Sequence, residues 1–166
     1  MSKDIRVFKF GGASVKDAAA VLNVADIIRN HENGHLLVVV SAMGKTTNKL
    51  EAIFDAFLQK NKEAFHKESK ELKDFHLNIA EALFKSAHIN ELKKTIEQYF
   101  EEIGSFFDRN KDENISFLYD QLIPYGEMLS TKIIHHCLLH SDVKSVWLDA
   151  RKCIKTDSNH QNANVN

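Results

Sequence analysis

Arg6-Val7-Phe8-Lys9-Phe10-Gly11-Gly12-Ala13-Ser14 decides how the rest of the chain is read. Residues 5–10 favour a strand, and the two glycines must end it in a tight turn. Ala18, Ala19, Ala20, Leu22 and Ala25 then predict a helix over roughly 16–31, with Ser14 or Asp17 near its start and Asn33-Gly34 as its stop. A strand–Gly-Gly–helix junction lets backbone approach an anion, because glycine has no Cβ and helix-start N–H groups point outward. Lys9 stands at the C-terminal end of the strand, where open α/β sheets take their ligands. The junction suggests phosphate handling.

Outward from it, His35 to Ser41 is a second strand whose continuous apolar run suits burial on both faces. Strand, helix and strand within forty residues predict a βαβ unit with parallel strands. Ala42 to Thr47 turns into a helix bearing Leu50, Ile53, Phe54, Phe57 and Leu58 on one stripe. Glycine and proline are then scarce, so the middle of the chain is expected to be helical. Leu72, Phe75, Ile79 and Leu83 mark one apolar face, and Leu92, Ile96, Tyr99, Phe100, Ile103 and Phe107 another. They predict two long antiparallel helices, with Asn90 as the N-cap of the second. Residues 108–114 read as a solvated turn or frayed helix end, Met128 to Leu139 as a helix, and Val143 to Leu148 as a third strand. After Ile154 the chain turns polar and reads as shapeless. Three strands cannot cover all these helix faces, so the chain is expected to be the N-terminal part of something longer.

With 166 residues, 43% hydrophobic and 27% charged, one globular domain with a real core is expected. A net charge of −1 argues against nucleic acid or an anionic membrane as principal partner. The longest aliphatic run, Leu36 to Val40, is far too short to span a bilayer. No secretory leader is evident at Met1, and Cys137 and Cys153 give no disulfide framework, so a reducing cytoplasm is expected.

Several residues could support chemistry. Lys9 is either a solvated lysine at a strand end or, because alternation puts it on the face of Ile5 and Val7, a buried-face cation that needs an anion such as a transferring phosphoryl group. Gly44-Lys45-Thr46 resembles the end of a phosphate-binding P-loop, but the required earlier glycine is Val39, and that reading fails. Ser41 to Thr47 remains either ordinary capping by Thr46 or Thr47, or part of a pocket floor beside the Lys9–Ser14 loop. Glu127 shares a helix face with Ser130, Thr131 and Ile134, so it is either half of an internal salt bridge or a counter-ion for a substrate ammonium. His135, His136 and His140 include an i, i+4 pair, His136 and His140, but no further ligand pattern; they read as a polar helix face, not a metal site. Cys137, among apolar neighbours, reads as core.

Taken together, Lys9 to Val15, Val39 to Leu50 and Tyr125 to Ser130 resemble the aspartokinases of the amino acid kinase superfamily. The resemblance runs in order over essentially the whole chain and implies a three-layer α/β/α sandwich with a mainly parallel sheet, incomplete at the C-terminus. Residues 1–166 would form the N-terminal, aspartate-side part of the catalytic domain, with a helical insertion at about 60–114. By position, Lys9 would be catalytic and would stabilise the transferred phosphoryl group. Gly11, Gly12, Ser14 and Ser41 would line the phosphate and ATP end; Thr47 would hold aspartate, and Glu127 would pair with its α-ammonium. The implied co-substrate is ATP with Mg2+, and a homo-oligomer is expected of the full-length protein. Ala13 stands where the family often has threonine, and the family's second half, with most of the nucleotide pocket, is not among these residues. The fragment is expected to be inactive by itself. A different class of function is a non-catalytic fragment that binds a small amino acid or assembles with partner subunits.

Overall fold

The computed structural model describes residues 4–31, 34–84, 89–110 and 114–166. The two apolar strands form where the sequence places them: β1 (Ile5–Phe10) and β2 (His35–Val40). They pair in parallel with Ile5 opposite His35 and Phe10 opposite Val40, as the βαβ reading requires. Between them a 3-10 turn at Gly12–Val15 precedes α1 (Ala18–Arg29), and Asp17 caps that helix by accepting from the Ala20 N–H at 2.8 Å. Asp17, not Ser14, therefore caps the helix, which begins later than expected. Of the expected stop, Asn33 lies outside the described residues; α1 ends at Arg29 with Asn30 as its C-cap.

After β2 come α2 (Thr46–Leu58), α3 (Lys62–Leu83), α4 (Ile89–Arg109), α5 (Ile115–Leu122) and α6 (Tyr125–His140). The long pair α3–α4 is the helical pair that the apolar spacing predicts. Leu72, Ile79, Leu92, Ile96, Tyr99, Phe100 and Ile103 are buried, as their helical spacing predicts. Asn90 lies inside α4, because the helix starts one residue earlier; the Phe107 side chain is outside the described set. The expected solvated turn at 108–114 falls partly on residues outside it. Asn114 caps α5 by accepting from the Ser116 and Phe117 N–H groups. The sequence reading contains no counterpart to α5.

The sheet corrects one expectation. Phe10, Leu36, Val38 and Val40 point toward the helices and join or flank the core, while the half-buried Phe8 sets its ring against Phe10 and His31. The opposite face is open: Ile5 is 67% exposed, Val7 59%, Leu37 47% and Val39 44%. β2 is thus buried on one face, and Lys9, on the face of Ile5 and Val7, is exposed. Helices cover one side of the sheet, one of the two helical layers of a sandwich.

The expected third strand also differs. Residues 143–149 alternate as a strand does, with Val143, Ser145, Trp147 and Asp149 turned inward and Lys144, Val146 and Leu148 exposed. Trp147 donates to Thr131 Oγ1 on α6 at 3.0 Å, and the Lys132 ammonium sits 3.6 Å from the centre of its ring. The segment lies along α6 but pairs with neither strand, so the described sheet has two strands. The polar ending is not shapeless either. Thr156 bridges Val165, Asp157 gathers the Asn159 and Asn164 N–H groups, and Gln161 N–H donates to Asp120 on α5.

Candidate active site

Parallel strands open their C-terminal loops at the same end of a sheet. Here the two loops are joined directly. The Ser41 N–H donates to the Phe10 carbonyl and the Gly44 N–H to the Gly12 carbonyl, both at 3.0 Å. A Cβ on Gly12 would stand 2.7 Å from the Ala42 carbonyl oxygen and 3.2 Å from that of Gly44, so only glycine admits this contact. Gly44 has φ +52, a left-handed turn that glycine adopts without strain. At Gly11, by contrast, a Cβ would meet nothing within 4 Å: its bare backbone faces open space.

The third motif arrives from α6. Gly126 lies against Ala42, Leu50 and Thr46, and a Cβ there would be 3.0–3.2 Å from their side chains. Its neighbour Glu127, half-buried, accepts from the Ala42 N–H at 3.3 Å. Ala42 therefore touches both other motifs, through its carbonyl to Gly12 and through its methyl and N–H to Gly126 and Glu127.

These contacts bring Gly12, Ser41 and Glu127 together at one end of the sheet, and Lys9, Gly11, Ser14 and Thr47 flank them along the chain. Among the described residues, neither Lys9 nor Glu127 has an ion-pair partner, and the hydroxyls of Ser14, Ser41 and Thr47 have no hydrogen-bond partner. Expected capping by Thr46 or Thr47 does not occur. Lys45 is the N-cap of α2 and makes no side-chain cap, while Thr46 Oγ1 is buried without a partner. The reason is positional: both threonines are already inside the first helical turn, and Thr46 is turned toward Gly126. An unpaired cation beside glycine backbone suits phosphate oxygens; an unpaired carboxylate at the other side suits an ammonium.

Other residues behave differently. His135 bonds Ser145 Oγ at 3.0 Å and is half-buried, so the α6 histidines do not form a uniform polar face. Burial raises the Cys137 thiol pKa, and Cys137 is core as expected. The Tyr125 hydroxyl donates to Glu102 at 2.8 Å, which anchors the start of α6 to α4; burial first, then this bond, raises its pKa. A cavity of about 400 Å³ lies away from these residues, between α3 and α4 beside Ser69 and Gly104. The sequence places Gly126 in the third motif but assigns no role to it or to the Ala42 N–H. Gly126, next to the acid, was the available signal; a backbone donor has none.

The amino acid kinase family model matches residues 4–166. The chain belongs to the amino acid kinase family. Within that family its relatives are aspartokinases. It is 32% identical over 154 residues to lysine-sensitive aspartokinase 3 of Escherichia coli (strain K12), covering 93% of this chain and 33% of that protein. Two crystal structures of E. coli aspartokinase III superpose with a TM-score of 0.84 at 28% identity, covering 98% of this chain and 35% of theirs. One is in complex with lysine and aspartate (T-state), the other with aspartate and ADP (R-state). The chain thus spans about a third of the length of E. coli aspartokinase III.

Proposed function

We propose that this chain supplies the aspartate-side part of an ATP-dependent aspartate kinase. A β-carboxylate oxygen of L-aspartate attacks the γ-phosphorus of ATP, the bond to the bridging oxygen breaks, and ADP leaves with that electron pair. The product is aspartyl phosphate. A carboxylate is already a nucleophile, so positioning and charge stabilisation suffice and no general base is required.

The observation that supports this reading best is the meeting of the three motifs at Ala42, with Lys9 and Glu127 on the same end of the sheet and unpaired among the described residues. Lys9 neutralises charge on the transferring group, with Gly11, Gly12, Ser14 and Ser41 beside it. Thr47 holds aspartate and Glu127 its ammonium. The phosphate-side set offers a cation, hydroxyls and backbone rather than carboxylates, so Mg2+ enters as the ATP complex, a co-substrate. By the same reading the protein is cytoplasmic and homo-oligomeric, and its product opens lysine, threonine and methionine synthesis.

Lys9→Met tests it in the polypeptide extended to the relatives' full length. The methionine keeps the stem and removes the charge, so aspartate-dependent ADP release should fall by about 10²–10³ in kcat with an unchanged melting temperature. A kcat within about threefold of wild type removes Lys9 from the mechanism.

A further inference from the structure

The first turn of α2 holds Thr47, yet its end has no side-chain cap and its flank toward α3 is not closely packed. A cavity of about 260 Å³ lies there, lined by Lys45, Thr46, Lys49, Glu71, Leu72 and Phe75. Lys49 reaches across it. The Lys49 ammonium donates to Glu68 at 2.6 Å and to Glu71 at 2.7 Å, both on α3. The bonds are short for charged pairs, and they raise the Lys49 pKa and lower that of Glu71.

Helical geometry links this connection to the site. Lys49 follows Thr47 by two residues, about 200° around the helix, so turning Lys49 toward α3 turns Thr47 away from it. On a third side, Thr46 and Leu50 rest against Gly126. We propose that Lys49, held by Glu68 and Glu71, is a positioning residue that sets the rotation of the first turn of α2 and so aims the Thr47 hydroxyl at the substrate. The inference rests on the reading of Thr47 given above. It also gives the helical pair a role in substrate recognition, because α3 supplies both carboxylates. Lys49 and Glu71 are 40% and 48% exposed, so that pair contributes little to stability, while Glu68 is 24% exposed. Orientation, not folding, is what their loss disturbs.

Steady-state kinetics in the full-length polypeptide test this with Lys49→Met, with Glu68→Gln combined with Glu71→Gln, and with Lys49→Arg. The first two should raise the KM for aspartate about tenfold, leaving the KM for ATP within about twofold and the melting temperature unchanged. Lys49→Arg, which can still bridge both carboxylates, should restore the wild-type value. An unchanged aspartate KM in the first two variants overturns the inference, as does a common rise in both KM values with a lowered melting temperature. Thr47→Val is the control. If it raises the aspartate KM while the Lys49 and glutamate variants do not, only the positioning role fails; if it changes nothing, the substrate reading of Thr47 fails too.

Discussion

The Ala42 N–H meets Glu127 Oε1 at 3.3 Å across 85 residues of sequence, and that bond joins α6 to the loop that precedes α2. The carboxylate it holds is the acid with the clearest consequence for substrate choice.

Glu127→Gln keeps an acceptor for the Ala42 N–H but removes the charge. Because no cation pairs with Glu127 among the described residues, none is stranded by the change, and the melting temperature should stay within a degree or two. Use of aspartate should suffer: a charged hydrogen bond contributes about 1.5–3 kcal/mol, roughly ten- to hundred-fold in kcat/KM. The KM for ATP should hold. A large loss of melting temperature with unchanged aspartate kinetics would make Glu127 structural.

Gly11 and Gly12 should separate cleanly under the same substitution. Gly12→Ala drives a methyl against the Ala42 carbonyl, which is backbone, and should cost on the order of 1–3 kcal/mol of stability. Gly11→Ala meets nothing, at φ −78 and ψ 169, so its thermal unfolding should match wild type. If phosphate approaches the Gly11 backbone, that methyl should still lower kcat/KM for ATP. Full activity in Gly11→Ala refutes the assignment.

His76 makes stability depend on pH. It is fully buried in α3, its Nδ1 bonded to the Leu72 carbonyl at 2.8 Å and its Nε2 unpartnered. Desolvation holds its pKa down to about 4 against a slightly raising effect of that bond. The unfolded chain, titrating near ~6.5, therefore binds the extra proton first, and stability rises with pH between the two values. The contribution is complete above pH ~6.5 and is lost as pH falls toward ~4, up to about 3 kcal/mol. Urea unfolding across this range should show a steeper pH dependence in wild type than in His76→Leu; parallel curves would remove His76 as the cause.

Ser130 on α6 is fully buried with no partner for its hydroxyl. Ser130→Ala removes an unsatisfied polar group and improves helix propensity, so it should stabilise by about 1 kcal/mol. Calorimetry should find the midpoint higher by about 2–4 °C. A lower midpoint would show that the hydroxyl is satisfied in solution.

The candidate site was legible because its parts are local. Lys9 to Ser14, Ser41 to Thr47 and Tyr125 to Ser130 each have a glycine at a strand end or helix start, and parallel topology sets the first two side by side. Periodicity likewise located β1, β2 and the α3–α4 pair. What the sequence did not reveal depends on distant contacts. Alternation gives two faces to β1 but does not say which one helices cover, so it leaves Lys9 either solvated or on a buried face. Val143 to Leu148 has a strand's alternation, yet pairing is a property of neighbours. α5 is only eight residues long and its apolar positions resemble those of its surroundings. The tail's order comes from Asp120 and Asp157, acids that look like ordinary surface charge until the chain folds back on them.

The open face of the sheet has a colloidal consequence. Ile5, Val7, Leu37 and Val39 make a greasy stripe, and β1 and β2 each keep one unpaired edge among the described residues. An unpaired edge is a template for another strand. Electrostatic repulsion between copies is weak as well, since the net charge is only −1. As a free polypeptide the chain should therefore scatter more light per molecule as its concentration rises, and a lysine in place of Val7 or Val39 should suppress that growth without touching the helical side of the fold.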